Sequence, residues 1–264
     1  MTQATGDVKL SPLQIAQLAK AATDQGFDLS PVEEGSWLRC RSTQFPERVW
    51  LTEAGGGYQL ACDSQRLLDE LAREGLSVQQ AASLPTNAKG VVHLAEYGKL
   101  YQLLGRVTDL AKTAPDRLVE EFVAATLSLP ESTEVERLVK QRVGQDIFRN
   151  ALLAFWQGRC AVTGLAVVSL LRASHIKPWA DCENNQERLD VFNGLLLAPH
   201  LDALFDGGWI TFDDEGKLVK SPLLDDDAAQ LLGVTREMKI IHLAADHRPY
   251  LEYHRQHVFK HASA

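Results

Sequence analysis

The sequence predicts an α+β fold divided into two domains, residues 1–129 and 130–264. Three observations carry this. Helical periodicity near the N-terminus gives way to short β-rich runs separated by glycine turns. At mid-chain the turn-forming stretch Leu129-Pro130-Glu131-Ser132 is followed by a helix-start signal. Beyond Trp156 the pattern changes again, to a strand, a loop, a second strand and a short helix. A chain of 264 residues has room for two ordinary domains.

The first element is a helix. Ser11 can cap it, Pro12 suits its first turn, and Leu13, Ile15, Leu18, Ala21 and Ala22 form an apolar stripe that ends at Gly26. Strands are expected at Trp37 to Arg41, Arg48 to Thr52 and Tyr58 to Cys62, with Gly55-Gly56-Gly57 as the hairpin turn between the last two. Helices are expected from Ser64 to Glu74, His93 to Lys112 and Pro115 to Ala125. In the second domain, Thr133 and Glu136 form a capping box. The lead-in helix that follows carries Val135, Leu138, Val139, Ile147, Phe148, Leu152 and Phe155 at helical spacing, with Gly144 as a break. A turn at Cys160 to Gly164 precedes a β-branched strand from Val167 to Ile176 and a polar loop from Asp181 to Arg188. Leu195 to Leu197 is a short strand and Leu201 to Phe205 a short helix. A hairpin, Trp209 to Phe212 with Lys217 to Lys220, and a helix from Pro249 to Phe259 complete the chain.

Composition narrows the function. With 45% hydrophobic and 23% charged residues the chain is an ordinary globular protein, not a disordered one. No apolar run approaches the ~18 residues of a membrane span. Met1 to Asp7 lacks the basic and apolar regions of a signal peptide, so the cytoplasm is the expected compartment and no membrane partner is expected. The cysteines Cys40, Cys62, Cys160 and Cys182 form no CxxC pair, which points to reduced buried thiols and away from structural zinc. Net charge is −8, but it is unevenly placed. Residues 1–135 carry 12 basic and 18 acidic residues, a net of −6. From Arg137 to Lys177 there are seven basic residues and one acid, Asp146, a net of +6. Such a stretch can meet phosphates in an acidic protein, because exposed charges more than ~10 Å away are screened.

The chemistry concentrates in Arg172-Ala-Ser-His-Ile-Lys-Pro-Trp179 and Asn193-Gly-Leu-Leu-Leu-Ala-Pro-His200-Leu-Asp-Ala-Leu-Phe-Asp206. His175 ends a strand, Asn193 begins the next, and His200 and Asp202 start a helix. A strand, loop, strand and helix of this length can fold back to bring all three into one cleft. Phosphodiester hydrolysis needs these residue types. A neutral His takes a proton from water near pH 7. Oxygen or imidazole ligands hold a divalent ion against the phosphate. Asn offers an amide oxygen to the ion or holds the base in place. Lys177, Arg172, Arg149 and Arg142 are the candidate nucleic-acid contacts, and Asn193, His200, Asp202 and Asp206 the candidate metal ligands. Asp202 and Asp206, at i and i+4, can share a helix face.

Cys160-x-x-Thr-Gly, Ala-Ser-His-Ile-Lys-Pro-Trp, Asn-Gly-Leu-Leu-Leu and Leu-Phe-Asp together resemble the HNH nuclease family, in the branch seen in bacterial restriction-type and anti-phage nucleases. Arg142-Val-Gly-Gln-Asp-Ile-Phe-Arg149 resembles the lead-in helix of such proteins. The resemblance implies a ββα-metal (His-Me finger) fold with His175 as general base and Asn193 as the middle letter. His200, also a catalytic candidate, competes with Asp202 for the third. It further implies cleavage of double-stranded DNA with one Mg²⁺ or Mn²⁺, leaving 5′-phosphate and 3′-hydroxyl ends. Two departures stand out: Ser174 occupies a position where many members carry a metal-binding Asp or His, and the CxxC pairs of zinc-holding members are missing. Ser174 keeps open a catalytically weak DNA-binding or regulatory protein, and a toxin acting on RNA or host DNA is the other alternative. The N-terminal domain is expected to sense, to read the target or to form homo-oligomers.

Overall fold

The computed structural model describes residues 9–80, 84–127 and 134–262. The fold is mixed α+β, in two compact units, residues 1–112 and 113–264. The expected boundary at 129/130 and the Thr133 cap lie outside the described residues. The division falls earlier than the sequence suggests, because the helix at Pro115–Thr126 packs with the second unit.

In the first unit, α1 (Pro12–Asp24) begins at the Ser11 cap, whose partner Gln14 reaches back to the Ser11 N–H at 2.8 Å. Strands β1 (Leu29–Glu34), β2 (Trp37–Arg41), β3 (Val49–Ala54) and β4 (Gly57–Cys62) follow, then α2 (Gln65–Arg73), β5 (Val78–Gln79), β6 (Gly90–Leu94) and α3 (Tyr97–Lys112). They form one antiparallel sheet in the order β1-β2-β3-β4-β6-β5. Edge strand β1 escapes sequence reading because Pro31 and two glutamates mask it; proline is tolerated only at such an edge. His93 and Leu94 belong to β6 and not to the expected helix, because the β-branched Val91 and Val92 pull that segment into the sheet. Leu18, Ala21, Leu68, Leu71, Leu104 and Val107 of the helices are buried, as are Leu38, Cys40, Val49, Leu51 and Leu60 of the strands. Burial pushes the Cys40 and Cys62 thiols up to about 12, so both are unreactive packing groups.

The second unit holds α4 (Pro115–Thr126), α5 (Glu134–Phe155), β7 (Arg172–His175), α6 (Asn185–Leu189), β8 (Gly194–Leu197) and α7 (Pro199–Asp206). It continues with β9 (Ile210–Phe212), β10 (Leu218–Lys220), α8 (Asp226–Leu231) and α9 (Arg248–His257). Strands β7 and β8 pair antiparallel with His175 opposite Gly194, and α7 packs on β7. Helix α5 runs unbroken through Gly144, where a Cβ would lie 2.5 Å from Trp179 Cη2. That glycine is a point of close approach, not a helix end. Gly194 serves the same purpose: an added Cβ would meet Phe148 at 2.5 Å and Leu152 at 2.8 Å. The expected strand from Val167 shrinks to Arg172–His175. Residues 167–171 are turns, tied down when the Arg149 guanidinium donates to the carbonyls of Leu171 (2.8 Å) and Val168 (3.3 Å). All four cysteines are free and buried, and no described helix is long and apolar enough to cross a membrane.

Candidate active site

His175 closes β7 with its ring held on three sides. It stacks on Phe148 of α5 at 3.8 Å between ring centroids, and Trp179 meets it edge-on at 5.5 Å. Its Nε2 lies 2.9 Å from the Arg188 carbonyl. A carbonyl only accepts, so Nε2 carries the hydrogen and the basic lone pair is on Nδ1. Burial lowers the imidazole to about 4, partly opposed by the Arg188 bond, so the ring is neutral near pH 7.

Asn193 is wholly buried and fully engaged. Its Oδ1 accepts from the Lys177 N–H at 2.7 Å, while Nδ2 donates to the carbonyls of Lys177 (3.2 Å) and Glu187 (3.0 Å) and to Cys182 Sγ (3.4 Å). The residue staples both ends of the 177–187 loop to the start of β8. The expectation that it ligates metal is therefore corrected, because its oxygen is bonded and shut away from solvent. Its position suits the other role read from the sequence, that of holding the base: residue 188, whose carbonyl orients His175, follows the stapled loop.

The same loop explains Lys177. Its Nζ pairs with Glu187 at 2.8 Å and lies 5.2 Å from the Tyr253 ring, so the side chain serves the loop and not a phosphate. Arg149, bonded to the 168–171 turn, is likewise structural. Both corrections have one cause: the partners lie 10 to 22 residues away and leave no periodic signature. Arg142 on α5 and Arg172 at the start of β7 are exposed and keep their place as candidate phosphate contacts.

On the α7 side of β7, buried Ser174 donates its hydroxyl to Asp206 Oδ1 at 2.8 Å. Asp202 lies one turn earlier on the same helix face. Burial raises both carboxyls, and the neighbouring Asp206 charge raises Asp202 further; Ser174 and Arg172 pull Asp202 back. Two carboxylates that repel in a partly desolvated corner, joined by a hydroxyl, form an all-oxygen donor set that a hard divalent cation fits. His200 does not join them: two residues before Asp202, it projects from a direction roughly 160° away around the helix. As the third letter it remains a candidate beside Asp202, but it does not share the face of the Asp202–Asp206 pair. Among the described residues no group of three or more His, Cys, Asp or Glu side chains converges as a metal site. Ser174, which stands where many family members carry a metal-binding Asp or His, is thus the residue that joins strand to helix.

An antiparallel strand pair backed by a helix, with an imidazole at its loop end and a carboxylate pair on the backing helix, defines a ββα-type nuclease fold. Comparison with known families agrees: residues 160–213 match the family described as HNH endonuclease, and the second unit carries that domain. No curated protein matches the chain. An endonuclease domain implies a nucleic-acid substrate.

Proposed function

We propose that this chain is a metal-dependent endonuclease that hydrolyses phosphodiester bonds of double-stranded DNA, with His175 as the general base. The observation that carries this reading is the bond from His175 Nε2 to the Arg188 carbonyl. It leaves Nδ1 of a neutral ring as the proton acceptor. Nδ1 takes the proton of the attacking water as the water oxygen bonds to phosphorus and the bond to the 3′ oxygen breaks; the departing 3′ oxygen takes a proton from solvent, giving 5′-phosphate and 3′-hydroxyl ends. Asp202 and Asp206, with the Ser174 hydroxyl, would hold one Mg²⁺ or Mn²⁺. Such an ion, when bound, supplies charge neutralisation at the phosphate and leaving oxygen. Exposed Arg172 and Arg142 position the phosphate backbone. The resemblance to restriction-type and anti-phage nucleases supports a cytoplasmic defence role, with the first unit as target reader or homo-oligomer contact.

The test is plasmid nicking by the purified chain with Mg²⁺, run beside RNA digestion. His175→Ala should lower DNA cleavage by about 10²–10⁴-fold in a chain that still folds, with a reduced melting temperature because the ring packs on Phe148 and Trp179. A near wild-type rate in that variant rejects His175 as base. Asp202→Asn should weaken Mg²⁺-supported cleavage more than Mn²⁺-supported cleavage, because the softer ion tolerates the lost carboxylate better. An unchanged Mg²⁺ titration would remove Asp202 from the metal site. A second reading, a catalytically weak DNA-binding protein on the same fold, is favoured by the lack of a three-residue metal cluster among the described residues. DNA binding with no nicking under either ion would establish it.

A further inference from the structure

The first unit contains a built pocket on the sheet face opposite its helices. Register places Glu34 beside Trp37 and Arg39 beside Trp50, so these four side chains share one face. A cavity of about 660 Å³ opens there, walled by both tryptophans, by Arg39 and Glu34, and by the loop from Leu84 to Asn87. An antiparallel sheet face left without helices ordinarily carries polar residues. Here two indoles and an ion pair replace them, in a volume that falls within the roughly 300–1,000 Å³ of small-ligand sites.

The polar groups are fixed in advance. Glu34 takes the Trp50 Nε1–H at 2.7 Å and an Arg39 Nη1–H at 2.6 Å, so the carboxylate and guanidinium are locked side by side. Arg39 Nε is buried without a hydrogen-bond partner in the protein. Leaving such a donor unmet is costly, and cavity-lining residues are where an incoming acceptor can meet it. Trp50 is buried beneath Leu84 and Ala88, whereas Trp37 is only partly covered. Asn87, at φ 77, holds the left-handed conformation at the end of the loop that walls the cavity.

We propose that this pocket binds a nucleobase, stacked on Trp37, with its donor and acceptor edge read by Glu34 and Arg39. A flat heteroaromatic ring meets the indole, and a base edge offers hydrogens to a carboxylate and an acceptor to a guanidinium at once. The inference deepens the nuclease reading by making the first unit the part that inspects the substrate or a nucleotide signal. The chemistry is the same for a base displaced from DNA and for a free nucleotide, and the experiment separates them.

The full chain is titrated with each of the four deoxynucleoside monophosphates and with short single-stranded oligonucleotides, following tryptophan fluorescence and heat. Saturable quenching by at least one of these is expected. Tighter binding of oligonucleotides than of monophosphates assigns the site to DNA, and the reverse assigns it to a free nucleotide. Trp37→Ala should weaken binding by about tenfold or more. Thr86→Trp, on the exposed loop at the cavity mouth, should block it without touching the core. No quenching at millimolar ligand, or unchanged binding by a folded Thr86→Trp chain, overturns the proposal. Plasmid nicking is measured on the same samples: nicking without base binding rejects the pocket alone, and base binding without nicking rejects the nuclease reading alone.

Discussion

In residues 1–112 the core is one continuous sheet, whose strands pair across short connections and bury helices against one face. In the described residues of 113–264 the strands form two separate pairs, and several loops are held by side chains bonded to backbone. Asn193 staples one loop, Arg149 another, and Arg188 donates to the carbonyls of Cys182 (2.7 Å) and Trp179 (3.3 Å). The first unit ties its strands into one hydrogen-bonded ladder; the second, with an extensive apolar core of its own, adds buried polar side chains that fix its loops. Losing a staple leaves several buried backbone groups unmet at once.

The largest effect expected from that contrast is at Asn193. Asn193→Ala leaves the Lys177 N–H and two carbonyls unmet in the interior, and should cost the second unit about 3 kcal/mol or more. Separate melting of the two units by calorimetry reads this directly; a loss confined to activity with no change in melting would show that the loop holds without the staple. Next comes the placement of α4. Leu118 and Phe122 of that helix are buried in the second unit, so a fragment starting at Thr113 should be soluble and one starting at Pro130 should aggregate. Equal solubility would return α4 to the first unit.

A smaller effect is expected from acid. His254 is buried, with its ring stacked on Phe205 at 3.9 Å and bonded to Thr211 and the Phe205 carbonyl, and burial lowers it to about 4. A group whose folded value lies below its unfolded ~6.5 charges more readily in the unfolded chain. Its contribution is therefore complete above about pH 6.5 and is lost as pH falls towards 4, amounting to about 2 kcal/mol by pH 5. His175 adds in the same direction. The raised carboxyls of Asp190, Asp202 and Asp206 oppose it only when they begin to protonate in the folded chain. The melting midpoint of the second unit should fall between pH 7 and 5, while that of the first unit, whose raised Glu70 gains from acid, should not. Parallel acid sensitivity in both units would refute the contrast.

Local patterns were readable in the sequence and distant pairings were not. The Ser11 cap, the strands at Trp37, Val49 and Gly57, and the His175 and Asn193 positions at the meeting of two strands all rest on neighbouring residues. Val167 to Leu171 misled because β-branched content cannot reveal that Arg149 will gather the segment into turns. Lys177 looked like a phosphate contact because Glu187, its partner, is hidden in a polar loop that also conceals α6. Helix α8 goes unread: it is capped by Asp225 but spans only six residues, too short for helical periodicity to show. His200 and Asp202 were separable only by helix angle, which demands knowing where α7 begins; Pro199 marks that start.

The stacking of His175 on Phe148 sets a lower limit on what could be transplanted. The family match spans residues 160–213, but the surface against which the imidazole rests belongs to α5, outside that span. Gly144 of the same helix admits the Trp179 ring that closes the other edge. A chimera grafting only the homologous segment into another scaffold would carry the imidazole without the wall that keeps it neutral and oriented. The smallest transferable cassette includes α5 and the α4 helix that packs on it, and so begins near Thr113.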